Sequence, residues 1–87
     1  MGNKDTYKAF SNQNRVKLIV CLSTAKSVTE LLSFCNLSQS ALSQHLKVLK
    51  DVGIVKCKRE GKQQIYSIKD RKIIVIAKKL LELDNKN

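Results

Sequence analysis

Between Ser38 and Lys50 the chain places Gln39, Ser40, Ser43, Gln44 and Lys47 on one side of a helical repeat, with Lys50 near its end. Amides and hydroxyls at this spacing suit hydrogen bonding to a partner that displays both donors and acceptors. A glutamine amide can pair bidentately with adenine, a serine hydroxyl can donate or accept, and a lysine can meet a phosphate. An ordinary surface helix mixes Glu with Lys, whereas this face carries no acid before Asp51. Leu42, Leu46 and Leu49, widened by Ala41 and Val48, form the opposite stripe, which should be buried. The segment therefore reads as a recognition helix, and it is the strongest functional signal in the chain.

Charge points the same way. Seventeen Lys+Arg stand against seven Asp+Glu, a net charge of +10, and such self-repulsion needs a reason. Residues 47 to 72 hold nine basic residues (Lys47, Lys50, Lys56, Lys58, Arg59, Lys62, Lys69, Arg71, Lys72) and three acids, a local excess of six. A polyanion is the economical partner, and nucleic acid is favoured over membrane. The blander reading is a lysine-rich proteome that makes every surface basic.

Other classes find little support. The sequence has no Ser/His/Asp set, no Gly-rich phosphate loop and no HExxH, so it is not read as an enzyme and no cofactor is expected. No apolar run approaches the ~20 residues that span a bilayer. The first residues lack the apolar core of a signal peptide, and Gly2 with Thr6 is thin support for myristoylation. Three cysteines without paired spacing make no disulfide framework, and the expected location is cytoplasmic.

The elements that must position the polar face follow from spacing and caps. The 87 residues make one domain, 1–87, with no second core. Residues 4–10 read as a short helix with Tyr7 and Phe10 available to pack. Asn12 can cap a second helix to about Ser23, with Val16, Ile19 and Val20 inward. Ser27 can cap a third, with Glu30 completing a capping box and Val28, Leu31, Leu32 and Cys35 on one stripe. Asn36 and Leu37 make a turn, Ser38 caps the recognition helix, and Gly53 ends it. Residues 54–59 and 63–68 then read as two strands joined through Glu60, Gly61 and Lys62, a hairpin with Lys58, Arg59 and Lys62 at its tip. Asp70 caps a last helix over about 71–83, whose apolar residues Ile73, Ile74, Ile76, Ala77, Leu80 and Leu81 cover more than one stripe. So broad a face needs its own domain and a second subunit. The predicted class is mainly α with a two-stranded β-wing, in the order α-α-α-α-β-β-α.

Residues 27–32 and 37–55, with the core Ser40-x-x-Ser43-x-His45-Leu46-x-x-Leu49 and the turn Gly53-Ile54-Val55, resemble the ArsR/SmtB group of bacterial transcriptional repressors. Residues 59–68 are similar to that family's wing, and 12–22 to its second helix. The resemblance covers about 7–83. It implies a homodimeric winged helix-turn-helix repressor that binds an imperfect palindrome in double-stranded DNA and is released by an inducer. By position it implies that Gln39, Ser40, Ser43 and Gln44 face the major groove, that Ser38 belongs to the DNA-binding set and that His45 packs or contacts DNA. It further implies that Lys47 and Lys50 meet phosphates and that Lys58, Arg59 and Lys62 follow the backbone. Tyr7, Phe10, Ile73, Ile76, Ala77, Leu80 and Leu81 would form the dimer interface.

Metal sensing does not carry over from the family. One family site resembles Glu-Leu-Cys-x-Cys-Asp-Leu, yet Leu32 and Phe34 stand here at the thiolate positions. At the other, Asp70 is retained while Lys72, Leu83 and Lys86 replace histidines, so no metal is expected. The run Ile19 to Leu22 resembles a branch that senses reactive sulfur, in which the partner thiol lies on the last helix; no cysteine follows Cys57 here. Cys21 could couple to Cys57 or Cys35 only with Cα atoms within roughly 7 Å. Cys57, between Lys56 and Lys58, is the foremost candidate reactive thiol if exposed; the alternatives are small apolar packing residues for Cys21 and Cys35 and a structural role for Cys57. Two further readings stay open: a winged-helix protein-docking module, and an architectural DNA-binding protein without sequence preference.

Overall fold

The computed structural model describes residues 6–85. Helix α1 is a single turn, Thr6–Ala9, so positions 4 and 5 of the expected first helix lie outside the described residues. Helix α2, Gln13–Cys21, starts where Asn12 Oδ1 accepts from the backbone N–H groups of Asn14 (2.8 Å) and Arg15 (3.3 Å). It closes through Leu22, slightly before the expected Ser23.

The strand count differs from expectation. Lys26–Ser27 forms a short strand β1 that pairs antiparallel with the wing, Lys26 opposite Tyr66 and Ser27 opposite Ile65. Among the described residues the sheet has three strands rather than two, in the order β1-β3-β2, and the elements run α-α-β-α-α-β-β-α. Two residues are too few to display the alternation by which a strand is recognised in sequence. Ser27 serves both elements, since its Oγ accepts from Glu30 N–H at 3.1 Å while Glu30 Oε1 accepts from Ser27 N–H at 2.9 Å. This is the expected capping box of α3, Val28–Phe34.

Ser38 Oγ accepts from Ala41 N–H at 3.1 Å and opens α4, Gln39–Asp51. Beyond it Gly53 takes φ 80°, a left-handed value that favours glycine, and the Ile54 N–H returns to Leu49 O at 2.9 Å. Strands β2, Val55–Glu60, and β3, Gln63–Ile68, form the wing, with Gly61 at φ 62° in a two-residue loop. Asp70 Oδ1 accepts from Lys72 N–H at 2.9 Å at the start of α5, Arg71–Asn85.

The core joins these elements. Leu18, Ile19 and Leu22 of the α2 segment meet Leu31, Leu42, Leu46 and Leu49 from the helix-turn-helix, with Val55 and Ile68 from the wing base. Helix α5 packs on α2 and adds Ile74 and Ala77. The expected inner face of α2 shifts slightly, with Leu18 buried and Val20 only half-buried. Burying a Leu or Ile side chain is worth about 1.5–3 kcal/mol, so this shared cluster holds α4 against its neighbours.

Candidate nucleic-acid interface

Helix α4 turns Leu42, Leu46 and Leu49 into the core, which leaves Gln39, Ser40, Ser43, Gln44, Lys47 and Lys50 exposed on the opposite side. Ser38 is also exposed, although its hydroxyl is already engaged as the cap. Lys47 Nζ lies 3.2 Å from Asp51 Oδ2, with both side chains mostly exposed. Such a pair contributes little and exchanges readily for another anion. The wing tip presents Lys58, Arg59 and Lys62 to solvent. Lys58 stands 3.7 Å from Glu60, and Arg59 Nε donates to Gly61 O at 3.1 Å.

His45 differs from its neighbours. It is half-buried, and its Nδ1 lies 3.3 Å from Nη1 of Arg15 on α2. A guanidinium can only donate, so His45 accepts there as a neutral imidazole. Its pKa is lowered, first by burial and then by the Arg15 charge. Arg15 also donates from Nε to Lys8 O (3.0 Å) and from Nη2 to Ser11 Oγ (3.1 Å). One side chain thus binds the α1–α2 turn to the middle of α4. The sequence alone assigns Arg15 no role, because its partner lies thirty positions away.

The apolar residues expected at an interface divide into two sets. Ala77 is 0% exposed and belongs to the chain's own core, whereas Ile76 is 46% exposed. Val75 (55%), Leu83 (66%) and Tyr7 (82%) are also exposed, while Phe10, Ile73, Leu80 and Leu81 are half-buried. Phe10, Leu80 and Leu83 border one cleft, which brings the end of α5 beside the α1–α2 turn.

Of the two partners the sequence leaves open for Cys21, the structure brings Cys35 against it and keeps Cys57 on the wing. Cys21 Sγ accepts from the Cys35 thiol at 3.4 Å, while the Cys57 thiol donates to Gln64 Oε1 at 2.6 Å. Alternation along β2 sends Lys56 and Lys58 to the sheet face opposite Cys57, so sequence adjacency overstates their influence on it. The Tyr66 hydroxyl, opposite Cys57 in register, has its pKa raised, first by burial and then by Cys57. The spacing names Cys35 as a possible partner of Cys21 but does not choose it over Cys57, since nothing in the chain's spacing indicates that α3 ends against α2.

The profile described as "Bacterial regulatory protein, arsR family" matches residues 12–56. The transcriptional activator HlyU of Vibrio cholerae is 37% identical over 67 residues, covering 76% of this chain and 62% of that protein. A cadmium resistance transcriptional regulatory protein CadC homolog of Staphylococcus aureus is 33% identical over 75 residues, covering 84% and 62%. This chain therefore spans under two thirds of the length of these two relatives. Among solved structures, HlyU from Vibrio cholerae superposes with a TM-score of 0.76 at 35% identity, covering 88% of this chain and 85% of that one. The transcriptional repressor BigR from Xylella fastidiosa gives 0.79 at 32% identity, covering 88% and 80%.

Proposed function

The chain belongs to the arsR family of bacterial regulatory proteins, and from that premise we propose that it is a sequence-specific transcriptional regulator, a repressor that binds palindromic operator DNA as a homodimer. The observation that carries this reading is the outer face of α4, where exposed Gln39, Ser40, Ser43 and Gln44 are flanked by Lys47 and Lys50. The amides and hydroxyls read base edges in the major groove, and the lysines fix the register on phosphates. Lys58, Arg59 and Lys62 extend the phosphate track along the adjacent backbone. Ser38 and His45 act on the protein side of this surface, one as helix cap and the other as the contact to α2.

Dimerisation is supported by the exposed apolar residues of α5, Val75, Ile76 and Leu83, and by the cleft that Leu83 shares with Phe10. An isologous pairing through α5 and the α1 segment sets two α4 helices about one DNA turn apart. The proposed site of action is the cytoplasm, with double-stranded DNA as partner and no membrane or metal required.

Selection of bound duplexes from a random DNA pool, using the reduced protein, tests the proposal. Enrichment of a palindrome is the expected result. Tight binding without enrichment would identify an architectural DNA-binding protein, and absence of binding would leave a protein-docking module.

A further inference from the structure

We propose that Cys21 and Cys35 form a reversible dithiol–disulfide site, oxidised by low-molecular-weight disulfides, at the joint between α2 and the helix-turn-helix. Cys21 is the last residue of α2 and Cys35 the C-cap of α3, and their sulfurs lie 3.4 Å apart. A disulfide needs about 2.05 Å, so closure asks for a movement of little more than an ångström. Both thiols are half-buried and both line a cavity of about 410 Å³ that they share with Val20, Phe34, Leu37 and Leu81. A small reagent can therefore reach them.

The surroundings suit an anionic disulfide such as oxidised glutathione. Lys17 also lines the cavity, and Lys26 Nζ, which donates to Cys21 O at 2.6 Å, sits 5.4 Å from the Phe34 ring centroid. The Lys26 ammonium thus stands beside Cys21, and Lys17 adds a second cationic residue to the cavity lining, which suits the carboxylates of the reagent.

The hydrogen bond orders the steps. The Cys35 S–H donates and the Cys21 sulfur accepts, so Cys21 attacks after losing its proton to water. A bond forms between Cys21 Sγ and one sulfur of the reagent, whose S–S bond breaks. The first small thiolate leaves and takes up a proton. The Cys35 thiol is pushed up to about 12, by burial first, then by the hydrogen bond to Cys21 and by the Cys21 charge. Capping Cys21 removes the last two influences, and the opposing Lys26 charge remains. Cys35 then gives its proton to water and attacks Cys21 Sγ, expelling the second small thiolate, which is also protonated. Two protein thiols and one small disulfide become one protein disulfide and two small thiols.

Only Asn36 and Leu37 separate Cys35 from Ser38, the cap of α4. Drawing Cys35 onto α2 shifts this turn and with it the start of the DNA-reading helix. This consequence, unlike the thiol chemistry, rests on the function proposed above.

The test equilibrates the full chain and its Cys57→Ser variant with oxidised glutathione, traps free thiols by alkylation and maps the products by mass spectrometry. The expected product has lost the mass of two hydrogen atoms, joins the peptides of Cys21 and Cys35, and reverts with reduced glutathione. The Cys35→Ser variant should stall with glutathione on Cys21. Adducts confined to Cys57, or two free thiols at equilibrium, overturn the site. DNA affinity should fall roughly tenfold for oxidised Cys57→Ser and stay unchanged for the similarly treated Cys21→Ala/Cys57→Ser double variant. A mapped disulfide with unaltered affinity overturns the coupling. If the reduced protein binds no DNA, the functional reading fails while the mapping still decides the thiol site.

Discussion

Arg15 Nη1 and His45 Nδ1 meet at 3.3 Å, and this contact joins α2 to the middle of the helix proposed to read DNA. The same guanidinium reaches Lys8 O and Ser11 Oγ, so one residue fixes three segments. Arg15→Ala should lower stability by roughly 1.5–3 kcal/mol, the range for hydrogen bonds to a charged group. Arg15→Lys should recover little, since an ammonium cannot reproduce the planar fork. Chemical denaturation checks this against Lys17→Ala on the exposed side of α2, and equal losses in the two variants would refute the role of Arg15.

The same contact sets a pH dependence. Burial, then Arg15, lowers the His45 pKa in the folded chain, while the unfolded chain keeps an ordinary imidazole near 6.5. The unfolded state therefore binds the proton first as pH falls. The stability that His45 contributes is complete above about 6.5 and is lost as pH drops through the lower folded value. Thermal unfolding from neutral pH to about pH 5 should show a falling midpoint, with a shallower fall in His45→Gln. An imidazole that titrates at or above its ordinary value by NMR would contradict this.

Gln44→Ala should cost about 1–3 kcal/mol at the preferred sequence and leave other sequences almost unchanged, relaxing specificity. Lys62→Ala should weaken binding to all sequences alike and reduce the salt slope by about one, the share of a single neutralised phosphate. Binding isotherms over a range of salt concentrations separate the two behaviours. Matching effects from both substitutions would count against the division into base-reading and phosphate-positioning residues.

Ile76 is 46% exposed, so Ile76→Glu should leave the fold intact and disrupt the proposed pairing of subunits. Sedimentation should report a monomer with unchanged far-ultraviolet circular dichroism. Ala77→Glu should instead unfold the chain, because that position is fully buried. Retained dimerisation in Ile76→Glu would move the interface off this face of α5.

Much of the architecture was legible in the sequence, for local reasons. Asn12, Ser27 and Ser38 declare helix starts through side-chain oxygens that act within three residues, and Gly53 marks an end through its φ. The polar face of α4 follows from a period of 3.6 alone. Strand β1 was missed because two residues hold no period, and its partner lies some forty positions away. The Arg15–His45 and Cys21–Cys35 contacts depend on how helices cross, which chain spacing does not encode. The division of α5 between Ala77 inside and Ile76 outside had the same cause, since a broad apolar face does not reveal which stripe its own core takes.

The sheet also governs how copies of the protein meet in crowded solution. Strand β3 is paired on both sides, so its backbone offers nothing to a stranger. Of the two outer edges, β1 is two residues long, and β2 bears Lys56, Lys58 and Arg59 along most of its length. Short or cationic edges resist the edge-to-edge zippering that leads to aggregation. The wing charges proposed to grip phosphate would then have a second effect when no DNA is bound. They would keep neighbouring molecules from extending the sheet, and substitutions that neutralise the wing would trade nucleic-acid affinity against solubility.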